Sequence, residues 1–393
     1  MIPQYYKEML SHKSVIRQIS EYGAARAAEV GAENVFDYSL GNPSVSAPAA
    51  FTAEMQRLLA EAEPVALHGY SPSLGIAAVR AAVAESLAGR FGLPYETRHI
   101  FMTSGAAGAI AHALRAVCEP GDEVVTFAPC FPEYGPYVAG AGLRLRYAAC
   151  LPDFQPDLDS LAAQITPKTA AVLINTPNNP TGAVYSLESM RGLAAVLRQK
   201  SAELGRPVYL ISDEPYREIV FEGVTAVYPA SLYKDTLTCY SFSKSLSLPG
   251  ERIGYLAVCP GCEGEELLVD VCGQISRGTG HNCPPSIIQL AVAKVLDQTA
   301  DLGVYETNMR LLYDELTALG FDCLRPGGTF YIFPKALEED AAAFCERAKR
   351  YDLLLVPSDS FGCKGYFRMA YCTGTDKVRR SLPALRALAE SYR

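Results

Sequence analysis

The stretch AAVLINTPNNPTG, Ala170–Gly182, decides the architecture. Its first seven residues, 170–176, form an apolar run of the kind a strand shows when a parallel sheet buries both its faces. The Asn, Pro and Gly residues that follow are turn chemistry. Working outward, the same alternation repeats. EVVTFA (Glu123–Ala128) reads as a short apolar strand and LRLRYA (Leu143–Ala148) alternates as a strand should. Downstream, Ser186–Leu204 carries a helical pattern and VYLISDE (Val208–Glu214) is a strand. TLTCYSFS (Thr236–Ser243) and IGYLAVC (Ile253–Cys259) are two more. Upstream, Leu74–Ala88 and Ile110–Val117 place Ala, Val and Leu at helical spacing. Strands separated by helices predict βαβ units and an α/β fold with a mainly parallel sheet.

The last third differs. Residues 285–320 are mostly helical in pattern, with a joint near Asp301-Leu302-Gly303. Two strand candidates follow, FYIFPK (Phe330–Lys335) and YFRMAY (Tyr366–Tyr371), with a helix between them and a final helix over 377–392. This predicts a second, smaller α/β domain. The expected division is a large domain over 45–285 and a small one over 1–44 with 286–393.

Composition bounds the function. The chain has 393 residues, 49% hydrophobic and 20% charged, which is ordinary globular composition and sets aside disordered, collagen-like and coiled-coil classes. The net charge of -8 argues against nucleic acid as the main partner, since backbone binders are basic. No run of 18 or more apolar residues predicts a membrane span. The start, MIPQYYKEML, lacks the apolar core of a secretory signal. Twelve cysteines in 393 residues fall far below the ~8–10% of a disulfide framework. They read as small buried thiols in a reducing cytoplasm. The single CxxC, Cys259-Pro-Gly-Cys262, has no second pair, so it reads as a turn rather than a zinc or redox site.

A parallel sheet often binds a phosphate-bearing ligand at its strand ends. The familiar loops are missing: there is no GxxxxGK[ST], no complete GxGxxG after a strand, no HExxH and no GxSxG. Only five His are present, and no metal is expected. Four other stretches carry chemistry. In SFSKSLSLPGERIG (Ser241–Gly254), Lys244 ends a β pattern. A desolvated lysine loses its charge more readily and can form a Schiff base with an aldehyde. Ser241, Ser243 and Arg252 nearby could hold a phosphate. A surface loop with one Lys and one Arg is the competing reading. In ISDEPYREIV, Asp213 follows a strand. It is either a turn former or a carboxylate holding a pyridine nitrogen protonated, the electron-sink arrangement. Tyr216 could donate to a ring hydroxyl. In NTPNNPTG, Asn179 could do likewise, or the segment is only a loop. In TSGAAGAIAHAL (Thr103–Leu114), small residues open a helix whose free N–H groups would suit an anion, or simply pack tightly against a strand.

Taken in order, NPTG, then DEPY, then SxSK with Arg eight residues after the lysine, the chain resembles the class I/II aminotransferases, pyridoxal-phosphate enzymes of fold type I. The resemblance runs from about Ser39 to Tyr371. It implies a three-layer α/β/α large domain and an enzyme that moves an amino group between an L-amino acid and a 2-oxo acid. Lys244 resembles the lysine that forms the Schiff base and shuttles the proton. Asp213 resembles the partner of the pyridine nitrogen, and Asn179 and Tyr216 the pair on the ring oxygen. Ser241, Ser243, Arg252 and the helix start at Gly105, Ala106 and Ala107 resemble the phosphate cradle. Phe131, in PCFPEY, falls at the ring-stacking position. Tyr70, in GYSPSLG, matches the tyrosine that reaches the phosphate of a neighbouring subunit, which implies a homodimer with shared sites. Arg368 matches the fork for the substrate α-carboxylate, and Gly41, in SLGNPS, a glycine that lets backbone approach the substrate.

Two departures bear on substrate. Ala107 stands where some relatives carry a hydroxyl or Lys, and Phe131 where aspartate-type enzymes carry Trp; this chain has no Trp. Arg277, in ISRGTGHN, lies one residue off the position matching the family's distal arginine, so it reads as a surface or phosphate-side arginine instead. A carbon–sulfur β-lyase on the same fold and a non-catalytic binding or regulatory protein are the other readings.

Overall fold

Seven strands make one sheet in the structure, a computed structural model that describes residues 2–11 and 14–393. In chain order they are β1 (Ile100–Thr103), β2 (Glu123–Ala128), β3 (Arg144–Ala149), β4 (Thr169–Asn175), β5 (Tyr209–Asp213), β6 (Thr236–Ser241) and β7 (Gly254–Val258). Their spatial order is β1-β7-β6-β5-β4-β2-β3. Only β7 runs antiparallel, to both β1 and β6; the other pairs are parallel.

The central strands are apolar because helices cover both faces. Every residue of β4 is buried. On one side, Met190, Leu193, Ala194 and Leu197 of the helix Leu187–Leu204 share a core with Val172, Ile174 and Leu210. Their spacing of three and four residues puts them on one helix face. Ser186 starts this helix by accepting from Ser189 N, and Gly205, at φ 66°, ends it in the left-handed conformation. On the other side, Ile110 and Leu114 of the helix Gly105–Val117 and Leu268 and Cys272 of the helix Glu265–Thr279 pack with Leu173, Ile211 and Leu237. Each such Leu contributes ~1.5–3 kcal/mol by burial. The result is the three-layer α/β/α arrangement.

The chain divides into two compact units: Val45–Asn179 with Ala183–Leu302, and Met1–Ser44 with Pro180–Gly182 and Gly303–Arg393. Residues 286–302 therefore group with the larger unit, not with the C-terminal segment expected from 286 onward. The helix Ser286–Val292 packs on the helices Ala49–Glu61 and Pro64–His68. Its Gln289 Oε1 also accepts from Ile76 N at 2.9 Å. In the smaller unit, Phe36–Asp37 pairs in parallel with Leu353–Leu354. Val356–Pro357, Phe367–Ala370 and Tyr331–Ile332 form an antiparallel ribbon.

Several boundaries shift. The expected helix at 74–88 is observed at Ala77–Phe91 because Gly75, at φ 99°, turns the chain first. The expected strand 330–335 shrinks to Tyr331–Ile332, and two short strands near 355 had no clear alternation to reveal them. Cys259–Cys262 is a turn: Cys262 N donates to Cys259 O at 3.0 Å, with Gly261 at φ 83°. Among the described residues no helix is long and apolar enough to cross a membrane.

Candidate active site

The C-terminal ends of the strands gather the motif residues. Asn175, the last residue of β4, stands in register with Asp213, the last of β5. Ser241 ends β6, and Thr103 ends β1 just before the helix Gly105–Val117. In open parallel sheets this edge is where ligands bind.

Asp213 sits at the centre of the polar groups. Its Oδ2 accepts from the Tyr134 hydroxyl at 2.6 Å. Its Oδ1 is buried and has no hydrogen-bond partner. Burial therefore pushes the carboxyl up to about 7, against the lowering effect of the Tyr134 bond. An unpaired carboxylate oxygen in such a place asks for a positively charged or N–H-bearing ligand. Asn175 braces the site. Its Nδ2 donates to Asp213 O at 2.9 Å, and its Oδ1 accepts from Asn179 N at 2.7 Å. One amide thus ties two strand-end loops together. Asn179 and Tyr216 are both buried. Phe131 is half-buried and meets Tyr134 edge to face, with ring centroids 5.7 Å apart.

Lys244 does not end the strand, as its apolar surroundings had suggested. β6 stops at Ser241, and Lys244 lies on the helical turn Phe242–Ser245. The Ser241 hydroxyl oxygen caps that turn by accepting from Ser243 N. The same hydroxyl lies 2.7 Å from Ser243 Oγ. Arg252 joins them from across the loop. A Cβ placed on Gly105 would stand 3.0 Å from Arg252 Nη2 and 3.4 Å from Ser241 Oγ. Gly105 has φ 74°, and Arg252 itself is left-handed at φ 50°. A non-glycine residue held there costs of order 1–3 kcal/mol and tends to mark a functional site. Ala106 and Ala107, both half-buried, open the helix beside this cluster. Two hydroxyls, a guanidinium and a helix N-terminus converge, which is anion-binding chemistry.

Tyr70 follows the short helix Pro64–His68, and its side chain is wholly exposed. Arg277 is exposed at the end of the helix Glu265–Thr279, beside a cavity of about 660 Å³ lined also by Asp270, Gln274 and Asn282. In the smaller unit, Arg368 is buried, its guanidinium between the rings of Tyr331 and Phe361 at 4.5 and 5.0 Å from their centroids. It donates through Nη2 to Ser39 O. Gly41 abuts Tyr331 so closely that a Cβ would collide with its hydroxyl.

Residues 32–383 match the family model described as aminotransferase class I and II. The chain belongs to that family. Among solved structures, an aminotransferase from Eubacterium rectale superposes with a TM-score of 0.97 at 42% identity, covering 100% of this chain and 99% of its own. The aspartate/prephenate aminotransferase of Thermus thermophilus is 31% identical over 91% of this chain and 92% of its own. The aspartate aminotransferase of Thermotoga maritima is 29% identical over 94% and 97%. These class I and II aminotransferases depend on pyridoxal phosphate, and this chain is such an enzyme. The comparisons favour neither the β-lyase nor the non-catalytic reading. The residues present fit the cofactor on two structural counts: the orphaned Asp213 Oδ1 suits a ring N–H, and the cradle at Gly105 suits a phosphate.

Two residues that the sequence reading does not single out, Tyr134 and Asn175, hydrogen-bond Asp213 directly. Tyr134 lies three residues after Phe131 in the same PCFPEY stretch, but that spacing carries no signal, since the helix begins only at Tyr134.

Proposed function

We propose that this aminotransferase carries out its reaction through Lys244, in a cofactor site built on the larger unit, the cofactor-binding domain. The observation that carries the assignment is the buried, half-unpaired Asp213 carboxylate at the same sheet edge as the Ser241–Ser243–Arg252 cluster. When bound, pyridoxal phosphate supplies an electron-withdrawing ring that takes up the electron pair released as the substrate Cα–H bond breaks.

The protein's own groups do the rest. Asp213 keeps the ring nitrogen protonated, and Asn179 and Tyr216 hold the ring oxygen. Phe131 would supply the aromatic face against the ring. Ser241, Ser243, Arg252 and the helix start at Gly105, Ala106 and Ala107 hold the phosphate. Lys244 would hold the cofactor through its aldehyde, and its free Nζ would take up the proton from substrate Cα. Arg368 forks onto the substrate α-carboxylate, a bidentate role that lysine fills poorly. Gly41 is proposed to stand where backbone approaches the substrate, on the resemblance of SLGNPS to the family's glycine.

The active form is proposed to be a homodimer, with Tyr70 reaching the phosphate of the partner subunit; its complete exposure in the single chain supports this. Cytoplasmic location is proposed from cysteine usage, since most of the thiols are buried as small apolar side chains.

The test is direct. Purified protein loaded with pyridoxal phosphate should convert an added 2-oxo acid to its amino acid at the expense of an L-amino acid. Borohydride should fix the cofactor to Lys244. Release of pyruvate, ammonia and a thiol from a sulfur amino acid, without transfer, would favour the lyase instead.

A further inference from the structure

The lysine turn is gripped from behind by a residue the reaction does not name. Tyr240 is the residue before Ser241, and its side chain points away from the cofactor cluster into the core. It is 3% exposed. Its hydroxyl stands 2.7 Å from Glu218 Oε2 and 2.8 Å from Ser245 Oγ. One phenol hydrogen cannot serve both. A carboxylate only accepts, so Tyr240 donates to Glu218 and the Ser245 hydroxyl donates to Tyr240. Glu218 is itself held by Arg90, whose two terminal nitrogens both reach Oε1 at 3.1 Å. The chain therefore runs Ser245, Tyr240, Glu218, Arg90.

The ring of Tyr240 is equally constrained. It stacks on Tyr255, with centroids 5.0 Å apart and planes 25° from parallel. The Arg217 guanidinium lies over the same ring, 4.5 Å from its centroid. Arg217 is buried, bonded to Glu214 at 2.7 Å and to the Tyr255 hydroxyl at 3.2 Å. Ser245 belongs to the turn Phe242–Ser245 and is adjacent to Lys244. Its backbone oxygen is fixed separately by Ala300 N at 2.8 Å. A four-residue turn has almost no helical stability of its own, so its orientation must come from such contacts.

We infer that Tyr240 is a positioning residue for Lys244: through Ser245 it locks the turn that carries the lysine to the Glu218–Arg90 pair. The inference rests on the reading of Lys244 as the cofactor lysine. Glu218 and Arg217 come from the segment that follows Asp213 and Tyr216, so the link also ties the ring-nitrogen loop to the lysine turn. The charged or titratable groups that act on Tyr240 are Glu218, Tyr255 and Arg217, with Arg90 behind Glu218 and Glu214 behind Arg217.

A double-mutant cycle on the loaded enzyme tests this. Tyr240→Phe keeps the ring packing and removes one hydroxyl; Ser245→Ala removes the same contact from the other end. Each is expected to lower kcat by roughly tenfold with KM for the amino donor little changed. Each should also move the midpoint pH of the visible cofactor band in the same direction, and the double variant should be no worse than either single one. The idea fails if the two effects multiply, if only Tyr240→Phe has an effect, or if both variants lose thermal stability while the band midpoint stays at its wild-type value. Should Tyr240→Phe not fold, Ser245→Ala alone decides, because a wild-type band midpoint in that variant also overturns the link. Borohydride fixation in wild type separates the two readings: if the cofactor does not attach to Lys244, the lysine assignment falls, whatever the cycle shows.

Discussion

The Tyr134 hydroxyl donates to one oxygen of the Asp213 carboxylate at 2.6 Å while the other oxygen, also buried, has no partner. That asymmetry makes Asp213 half of a site. The carboxyl sits at about 7 in the protein against 3.8 in the open chain, because desolvation outweighs the Tyr134 bond.

The pH consequence has a definite sign. Between about pH 4 and pH 7 the folded, cofactor-free protein binds more protons at Asp213 than the unfolded chain. This contribution to stability therefore falls as pH rises through that window, and above it the cost is on the order of 4 kcal/mol. Asp213→Asn should remove the dependence. The difference in urea midpoint between cofactor-free wild type and Asp213→Asn, followed from pH 4 to pH 8, should grow in favour of the variant. A flat difference would contradict the assigned burial. In the loaded wild-type enzyme the cost should largely vanish, because the proposed pairing with the ring N–H would give Oδ1 its partner.

Tyr134→Phe leaves Asp213 with two unpartnered oxygens. The carboxyl should then hold its proton still more tightly in the cofactor-free protein, and cofactor affinity should drop by roughly tenfold, as for the loss of one buried bond to a charged group. Equilibrium titration with pyridoxal phosphate reads the affinity.

Gly105→Ala is predicted to damage phosphate binding rather than folding of the sheet. The new methyl would press on Arg252 Nη2 at 3.0 Å, and an L-residue would be held at φ 74°, a strain of ~1–2 kcal/mol. The dissociation constant for pyridoxal phosphate should rise by about tenfold or more, whereas that for pyridoxal, which lacks the phosphate, should change far less. Equal losses for both would place the damage elsewhere.

Arg368→Lys keeps the charge but loses the planar fork proposed to hold the substrate carboxylate. Its guanidinium lies between Tyr331 and Phe361 and donates to Ser39 O, a setting an ammonium cannot reproduce. KM for amino donors should rise by roughly tenfold or more, with cofactor affinity near the wild-type value. Steady-state kinetics with saturating cofactor measures the first, and the titration above measures the second.

The parts legible in the chain were those whose residue types carry their own chemistry or periodicity. β2 was read to the residue, and β4, β5 and β7 to within one residue at either end, because burial on both faces leaves a continuous apolar run. The SFSK stretch misled at one point: it alternates like a strand, yet Ser241 turns its hydroxyl on Ser243 N and starts a helical turn two residues before the lysine. Tyr134 was not legible at all. An aromatic residue looks the same in sequence whether it fills a core or aims its hydroxyl at a carboxylate 79 positions away.

The α/β class, the ordered motifs at the strand ends and the resemblance to aminotransferases follow from residue order alone, since local pattern and residue chemistry are written residue by residue. Which side chains share a hydrogen bond emerges from the packed molecule: Tyr134 with Asp213, Asn175 with both Asp213 and Asn179, and Tyr240 with Glu218 and Ser245. It also decided that residues 286–302 belong with the larger unit. The reason is physical. Burial and pairing depend on distances between residues far apart in the chain, and those distances exist only once the sheet and its helices have packed.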